Sequence, residues 1–460
     1  MRITGKIVPF WELMQQSTLR NVGCQAQQRS AEKPLNIVFV ANINSILARN
    51  WISFFVQSMD QVSVISLFPV LSPPLPGVHV HEIPLLLSQA YAWSASGLGA
   101  RHESGQKVSA FTRLISKALR QFNNRWDVGK TWWGCIGPWE ARRVRSRVDR
   151  IIRQIGPDIV HAIRIPMEGE TLVKSCGYPV VISVWGNDFT LWAAQYKGHR
   201  SLTRLALGRA NGLHADCERD IRLARQYGYD DQKPTIVVLG NGGIMLDDMP
   251  DPSLEISWRQ QLGTSDDTPL VVNPRGVRAY VNTEEYLQAI PMILRTCPKA
   301  VFVSVAVAGD PSVTQRVKAL GIERSVRLLP QVSLKDLLSL FRISTVLVSP
   351  AMHDGVPNSL IAGMAAGCFP VAGDIESIRE WIQSEDNGLL MDPLSPDSIA
   401  SAVVKALQDR DMRERAKIIN SSMIRERADY QKCMSRVREF YERIIAEYRK
   451  PLADSPFRSL

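Results

Sequence analysis

Short apolar runs and amphipathic segments alternate along most of the chain. The apolar run Asn36–Ala41 is followed by an amphipathic segment near Ala48–Met59 and then by a second apolar run, Val62–Leu67. The Pro-rich stretch Pro69–Pro76 is predicted as a loop, and short apolar runs continue to Ile236–Val238. Runs of this length, separated by helical periods, are typical of parallel strands connected by helices. The pattern therefore predicts an α/β fold.

A glycine cluster, Gly240–Gly243, interrupts this alternation. Glycines give the backbone the freedom that a turn or hinge needs, so the cluster predicts a domain boundary. A second α/β series begins at Leu270–Asn273, and the chain ends in helical patterns from Pro396 to about Tyr448. The further strands of this series are predicted at Ala300–Val307, Val326–Leu329, Val346–Ser349 and Phe369–Ala372.

These patterns divide the chain into four predicted parts. They are an extension (1–34), a first Rossmann-like domain (35–239), a second Rossmann-like domain (240–425), and a C-terminal helix with a polar tail (426–460). The extension has no apolar block ending in a small-residue cleavage site, so we expect a loosely ordered segment or an upstream start-site error. Two open α/β domains place a cleft at the carboxyl ends of their strands, where such sheets bind ligands.

Composition narrows the class of protein. The chain has 460 residues, 45% hydrophobic and 22% charged, as in ordinary globular proteins. No apolar run reaches the roughly 18–20 residues of a membrane helix. The seven cysteines form no CxxC pair, and the seven histidines show no metal-ligand spacing. We therefore expect reduced thiols in a cytoplasmic protein and neither a disulfide framework nor a zinc site.

The net charge of +10 is concentrated in one segment. Residues 101–153 contain thirteen basic and four acidic residues, a net charge of +9. The same segment holds Trp126, Trp132, Trp133 and Trp139. Basic residues beside tryptophans suit an anionic membrane surface, which would bring the protein to the inner face of the cell membrane. A solvated basic face with tryptophans in the local core is the alternative, and nucleic acid is not expected because no binding module is present.

The segment Ser349–Gly367 carries the most chemical information. It begins at a predicted strand end, continues as a Gly- and Pro-containing loop and leads into a helix of small residues. Asn358 or Ser359 suits the N-cap of that helix, whose free N–H groups can bind an anion. Asp354 lies on the loop, where its carboxylate can meet sugar hydroxyls. A plain strand–loop–helix connection is the alternative.

This segment resembles the signature of glycosyltransferase family 4, whose members have the GT-B fold and retain anomeric configuration. The resemblance continues in Pro157–Ala162, in Val184–Asp188 with Trp185 in place of a histidine, and in the hinge Asn241–Ile244. It spans about residues 35–450. It implies two Rossmann-like domains facing across a cleft, and we expect the C-terminal helix to cross back to the first domain.

The resemblance also implies roles for individual residues. Asp354, Arg275 and Asp188 are the predicted catalytic residues. On the donor side it implies contacts from the following residues: Arg275, Arg278, Gln331, Val332, Asp354, Gly355, Asn358, Ser359 and Leu360. On the acceptor side we predict Asn44, His161 and Trp185, and for His161 packing in the core is an equal alternative.

Three positions depart from the family pattern. Ala362 stands where the family has the second acid of its Glu-x7-Glu pair, which usually holds ribose hydroxyls. The family's lysine falls near Tyr280, with Arg278 as a substitute cation of different geometry. Asn42–Ser45 replaces the Gly-Gly pair after the first strand.

The resemblance implies transfer of a sugar from a nucleotide diphosphate to a glycan or lipid-linked acceptor. No DxD carboxylate pair is present, so we expect a metal-independent reaction without a cofactor. Fixed cations and a helix N-terminus would then balance the charge on the leaving phosphate. Ala362 and the missing lysine favour an alternative, a non-catalytic GT-B adaptor or regulator of a partner transferase. An epimerase or phosphorylase lacks a supporting motif.

Overall fold

The computed structural model describes residues 33–86, 88, 126–174, 177–246, 252–278 and 280–453. Most of the predicted extension and the part of the basic segment before residue 126 lie outside these residues. The side chains of Trp126 and Trp132 also lie outside the described part. No helix in the described part is long and apolar enough to cross a membrane.

The first sheet has seven parallel strands in the order β3-β2-β1-β4-β5-β6-β7. The strands are β1 (Asn36–Val40), β2 (Gln61–Ser66), β3 (Val78–Glu82), β4 (Ile159–Ala162), β5 (Val180–Val184), β6 (Gly212–Ala215) and β7 (Thr235–Val237). The four central strands are buried almost throughout because helices cover both faces, as parallel sheets require. The helices of this half are α1 (Ile46–Gln57), α2 (Trp126–Ile155), α3 (Lys197–Arg209) and α4 (Glu218–Gln226).

The second sheet has six parallel strands in the order β10-β9-β8-β11-β12-β13. Its strands are β8 (Leu270–Asn273), β9 (Val301–Ser304), β10 (Val326–Leu328), β11 (Val346–Ser349), β12 (Phe369–Gly373) and β13 (Leu389–Met391). The helices that follow the first sheet are α5 (Pro252–Leu262), α6 (Thr283–Thr296), α7 (Pro311–Ala319), α8 (Leu334–Ile343), α9 (Asn358–Ala365), α10 (Glu376–Arg379), α11 (Pro396–Gln408), α12 (Arg410–Arg427) and α13 (Tyr430–Ala453). The predicted pair of parallel α/β sheets is therefore confirmed.

The last helix returns to the first sheet, as expected. Met434, Val437 and Tyr441 of α13 are fully buried in the same core cluster as β1 and α1. The chain crosses between the two halves twice, and the crossings pair at Ile244 and Asp429. Ile244 donates its N–H to the carbonyl of Ala428 at 2.7 Å. The two halves are thus joined at one place by two adjacent segments, while the exact domain limits stay predictions.

Two elements differ from the sequence-based expectation. The sequence pattern does not predict the edge strand β3 (Val78–Glu82), because only Val78 and Val80 pack against the core and no continuous apolar run marks the strand. The sequence predicts a helix over Glu140–Ile155. In the structure this segment belongs to α2, which begins earlier, at Trp126, and contains Pro138. The buried residues around Pro138 pack this helix against α3, where Pro138 lies against Gly198. Tertiary packing therefore outweighs the helix-breaking tendency of proline here.

Candidate active site

Arg275 and Asp354 form an ion pair at the carboxyl edge of the second sheet. Arg275 follows β8, and Asp354 lies in the loop between β11 and α9, so two adjacent parallel strands bring them together. Arg275 also lies 3.5 Å from the hydroxyl of Ser359, in the first turn of α9. Its Nε is buried and has no hydrogen-bond partner among the residues that the structure describes. A guanidinium with a spare donor at a helix N-terminus is a site suited to a phosphate.

The first turn of α9 has both free and occupied groups. Pro357 precedes the helix and makes no side-chain cap, which leaves the first N–H groups available by their position. The side-chain oxygen of Asn358 is buried without a partner. The Leu360 N–H already donates to the Pro357 carbonyl at 2.9 Å. The Leu360 amide is one of those predicted to bind the diphosphate, and in this structure it is therefore already occupied by the Pro357 carbonyl.

The remaining predicted donor residues lie at the rim of the second domain. Arg278 is exposed, and its guanidinium donates to the Tyr280 hydroxyl at 3.1 Å. Gln331 and Val332 follow β10. The side chain of Gln331 is exposed, and that of Val332 is half-buried. Ala362 is buried in α9 within the core of the second domain. Arg278 is thus the more solvated of the two predicted cations, Arg275 and Arg278.

Asp188 is fully buried in the first domain, where both carboxylate oxygens have partners. Arg164 donates to one oxygen at 2.9 Å, and the N–H groups of Trp185 and Ile165 donate to the other at 3.1 and 3.3 Å. Burial raises the pKa of Asp188, and the Arg164 guanidinium opposes that shift. In this structure Asp188 therefore shapes the loop after β5. It does not present a free oxygen to the cleft.

Two predicted acceptor-side residues also have their polar atoms occupied. His161 is fully buried, with one ring nitrogen at the Tyr441 hydroxyl and the other 2.7 Å from that of Ser183. Burial holds its pKa well below the usual value, so the ring is neutral. The Asn44 side chain donates to the Pro69 carbonyl at 2.7 Å and accepts from Leu71 N–H at 2.8 Å. Both residues hold the first domain together in this structure.

Arg219, which sequence reasoning did not select, ties the two domains together. It lies in the first turn of α4 and is 7% exposed. Its guanidinium donates to the Asp354 carbonyl at 2.6 Å and to the Gly186 carbonyl at 2.9 Å. The neighbouring Asp220 carboxylate accepts two further hydrogen bonds from it, at 2.8 and 3.0 Å. One side chain thus fixes the loop of each domain that borders the cleft.

The two loops approach at a pair of glycines. A Cβ on Gly186 would overlap the amide nitrogen of Gly355 in the second domain. A Cβ on Gly355 would overlap the carboxylate of Asp216, which follows β6. Glu380 completes the contact by accepting the N–H groups of Glu218 and Arg219 at the start of α4, at 2.9 and 3.0 Å. Only residues without side chains allow this closed arrangement.

One group in the described part of the chain has the composition of a metal site. Asp216, Cys217 and Asp220 are all buried and bring three possible ligand atoms within 4.8 Å of one another. Burial raises the pKa of the Cys217 thiol. Arg219 already pairs with Asp220. A cation at this group would compete with the Arg219 guanidinium for Asp220.

Comparison with known families agrees with this geometry. The fold and the paired loops across the cleft define a GT-B protein. Residues 255–422 match the family Glycosyl transferases group 1, and residues 136–216 match the family Glycosyl transferase 4-like. The chain belongs to the GT-B glycosyltransferases of this group 1, family 4 type, so the resemblance stated from the sequence is confirmed.

Individual relatives are distant. The chain is 26% identical over 167 residues to an uncharacterized glycosyltransferase of Methanocaldococcus jannaschii, covering 35% of this chain and 41% of the relative. It is 24% identical over 154 residues to the alpha-D-kanosaminyltransferase of Streptomyces kanamyceticus, which covers 33% of this chain and 39% of the relative. The match thus spans less than half the length of either curated relative.

Solved structures share the whole fold. Sucrose-phosphate synthase from Thermosynechococcus elongatus superimposes with a TM-score of 0.64 at 13% identity, covering 90% of this chain and all of that one. The Anabaena protein HepE, solved with UDP and glucose, gives a TM-score of 0.63 at 14% identity, covering 89% of this chain and 99% of HepE. At these identities the likeness establishes the GT-B architecture, which confirms the predicted fold class.

Proposed function

We propose that this protein transfers a sugar from a nucleotide diphosphate to a hydroxyl of a glycan or lipid-linked acceptor, with retention and without a metal ion. The observation that carries the proposal is the Arg275–Asp354 pair at the start of α9, with the unpartnered Nε of Arg275. Departure of the diphosphate builds negative charge on its phosphate. Fixed donors placed where this charge develops lower the barrier. Arg275 and the first amides of α9 supply such donors.

Asp354 has a different role in this proposal. Its carboxylate pairs with Arg275 in the free protein, which orients the guanidinium before the diphosphate binds. With the phosphate in place, the same carboxylate is positioned to accept hydrogen bonds from the transferred sugar and to stabilise positive charge on its ring. The leaving phosphate takes the proton of the acceptor hydroxyl. Retention is the outcome that the family resemblance implies.

The donor site can be tested by calorimetric titration of UDP, GDP, ADP and TDP into the protein. We expect saturable binding of one diphosphate that is unchanged by EDTA, because protein cations replace the metal. UDP is tested first, since the Anabaena structure and others of the same fold contain UDP. Loss of binding on EDTA treatment, restored by Mg²⁺, would overturn metal independence. Absence of binding to all four would favour the adaptor alternative.

We further propose that the outer face of α2 contacts an anionic membrane. Trp139 on this face is 55% exposed, and Arg142, Arg143 and Arg147 one to two turns later are exposed as well. Arg145 differs, because it is half-buried and donates to the Glu170 carbonyl at 3.4 Å. The charges and an exposed tryptophan thus lie on one helix face, as in helices that bind the membrane surface. This contact would bring the active site to a lipid-linked acceptor.

Replacing Arg142, Arg143 and Arg147 together by glutamate should reduce binding to anionic liposomes by at least about 100-fold, since each basic residue near such a surface contributes roughly 1 kcal/mol. The measurement is sedimentation with phosphatidylserine-containing vesicles at low and high salt. The matched control reverses three exposed cations of the second domain, Arg295, Lys299 and Lys318. Equal loss in both variants would show a net-charge effect, and no binding by the unaltered protein would reject the contact.

A further inference from the structure

Several buried polar atoms of the first domain have no hydrogen-bond partner among the residues that the structure describes, and two of them follow adjacent strands. These two are Nε1 of Trp185, after β5, and Oδ1 of Asp216, after β6. The two strands are adjacent and parallel, so their carboxyl ends meet at one edge of the sheet. A buried donor or acceptor without a partner is unfavourable in a folded protein, so such an atom calls for an explanation such as a bound group. One bound group that accepts from the indole N–H and donates to the carboxyl would satisfy both side chains.

A small space beside Gly240 is bordered by these two side chains. A Cβ placed on Gly240 would have Trp185 Nε1 as its nearest heavy atom at 3.7 Å, followed by Asp216 Oδ2 at 3.9 Å. These are ordinary van der Waals distances, so a small group fits there without displacing the protein. Gly240 is itself buried, at the start of the predicted hinge. The absence of a side chain at this residue keeps the space open.

The charges around this space favour a neutral ligand over an anion. The Asp216 carboxylate borders Gly355 of the donor loop, and Asp220 and Asp354 lie close enough to repel a negative charge. Burial, together with these two carboxylates, raises the pKa of Asp216 well above its usual value. The Arg219 guanidinium opposes this shift. In its protonated form the carboxyl group both donates and accepts hydrogen bonds. A phosphate is disfavoured here, whereas a hydroxyl matches the indole N–H and the carboxyl.

We propose that Trp185 and Asp216 form a binding site for a hydroxyl of the transferred sugar, and that Gly240 keeps this site open. The inference rests on the proposed function and deepens it. The indole N–H donates to the hydroxyl oxygen, and the hydroxyl donates to Asp216. Because Asp216 lies against Gly355, the sugar bound at this site is the one attached to the diphosphate held by Arg275. Asp216 thereby becomes a determinant of which donor sugar is accepted.

Two variants test the site without removing a charge. Trp185→Phe keeps an aromatic ring and removes the N–H, and Gly240→Ala places a methyl group in the space. The probes are UDP with UDP-glucose and GDP with GDP-mannose, and the pair that the unaltered protein binds is used. We expect each variant to bind the nucleotide sugar roughly three- to tenfold more weakly, the equivalent of one hydrogen bond, with unchanged affinity for the diphosphate. Gly208→Ala, in α3 with open space around it, is the matched control.

The outcomes separate this inference from the proposed function. If the unaltered protein binds no diphosphate, the proposed function fails. If it binds the diphosphate through Arg275 but both variants bind the nucleotide sugar as tightly as the unaltered protein, the hydroxyl site alone is overturned. A crystal structure of the nucleotide-sugar complex with only water between Trp185 and Asp216 would overturn it too. Asp216→Ala should follow the two variants and relax the preference among sugars that differ at one hydroxyl.

Discussion

Replacement of Arg275 by alanine is expected to weaken diphosphate binding by roughly 100- to 1,000-fold. The guanidinium is 9% exposed and lies at the first turn of α9, where it can make more than one charge-assisted hydrogen bond to a phosphate. Each such bond contributes about 1.5–3 kcal/mol, and about 1.4 kcal/mol corresponds to a tenfold change. Calorimetric titration of the diphosphate measures the effect directly.

Two further variants define what Arg275 supplies. Arg275→Lys keeps the charge but loses the planar guanidinium group. Its diphosphate affinity should therefore fall between that of Arg275→Ala and that of the unaltered protein. Arg278→Ala is the matched control, because Arg278 is an exposed cation in the same loop and should contribute less than about tenfold. Thermal unfolding checks that the domain remains folded. If Arg278→Ala abolished binding and Arg275→Ala did not, the phosphate site would lie at the rim of the cleft.

The sequence predicts the architecture well because parallel sheets leave a strong pattern. Strands such as β1, β8 and β11 are buried on both faces, and this burial appears in the sequence as short continuous apolar runs. The edge strand β3 is half-exposed and has no such run, so it was missed. The start of α2 was placed too late, since the packing around Pro138 has no local signature.

The candidate site is predictable only where it follows strand ends. Arg275 and Asp354 are 79 residues apart, yet each directly follows a predicted strand of the same sheet, and their proximity follows from that placement. The resemblance supplied their expected roles. His161 and Asn44 also follow or end strands, but their side chains hold internal hydrogen bonds, which a sequence does not reveal.

Contacts between the domains were outside the reach of sequence reasoning. Arg219 and Asp216 belong to the segment after β6, and their importance arises from Asp354, Gly355 and Gly186, which approach only in the assembled fold. The signal available in the sequence is the charged segment Cys217–Asp220, which directly follows β6. A charged cluster directly after a parallel strand faces the ligand edge of the sheet. It could have been singled out on that ground, but no spacing rule indicates that it meets the other domain.

Replacement of Gly186 by alanine is expected to slow sugar transfer by roughly 100-fold, while the second domain still binds the diphosphate. The added methyl group would overlap the amide nitrogen of Gly355, so the loops could not close as they do here. The bonds from Arg219 to the Gly186 and Asp354 carbonyls depend on this closure. Displacing catalytic groups by about 1 Å can reduce a rate by that factor.

The measurement separates closure from donor binding. The turnover number should fall in Gly186→Ala, the diphosphate affinity should change little, and small-angle scattering should show a more open protein with the diphosphate bound. Gly208→Ala adds the same methyl group in the first domain, where no described atom beyond the glycine's chain neighbours and the adjacent helix backbone lies within 4 Å, and should retain full turnover. Because the two variants differ only in what the methyl group meets, unequal turnover assigns the defect to the contact between the domains. Full activity of Gly186→Ala would mean that transfer occurs with these two glycines apart.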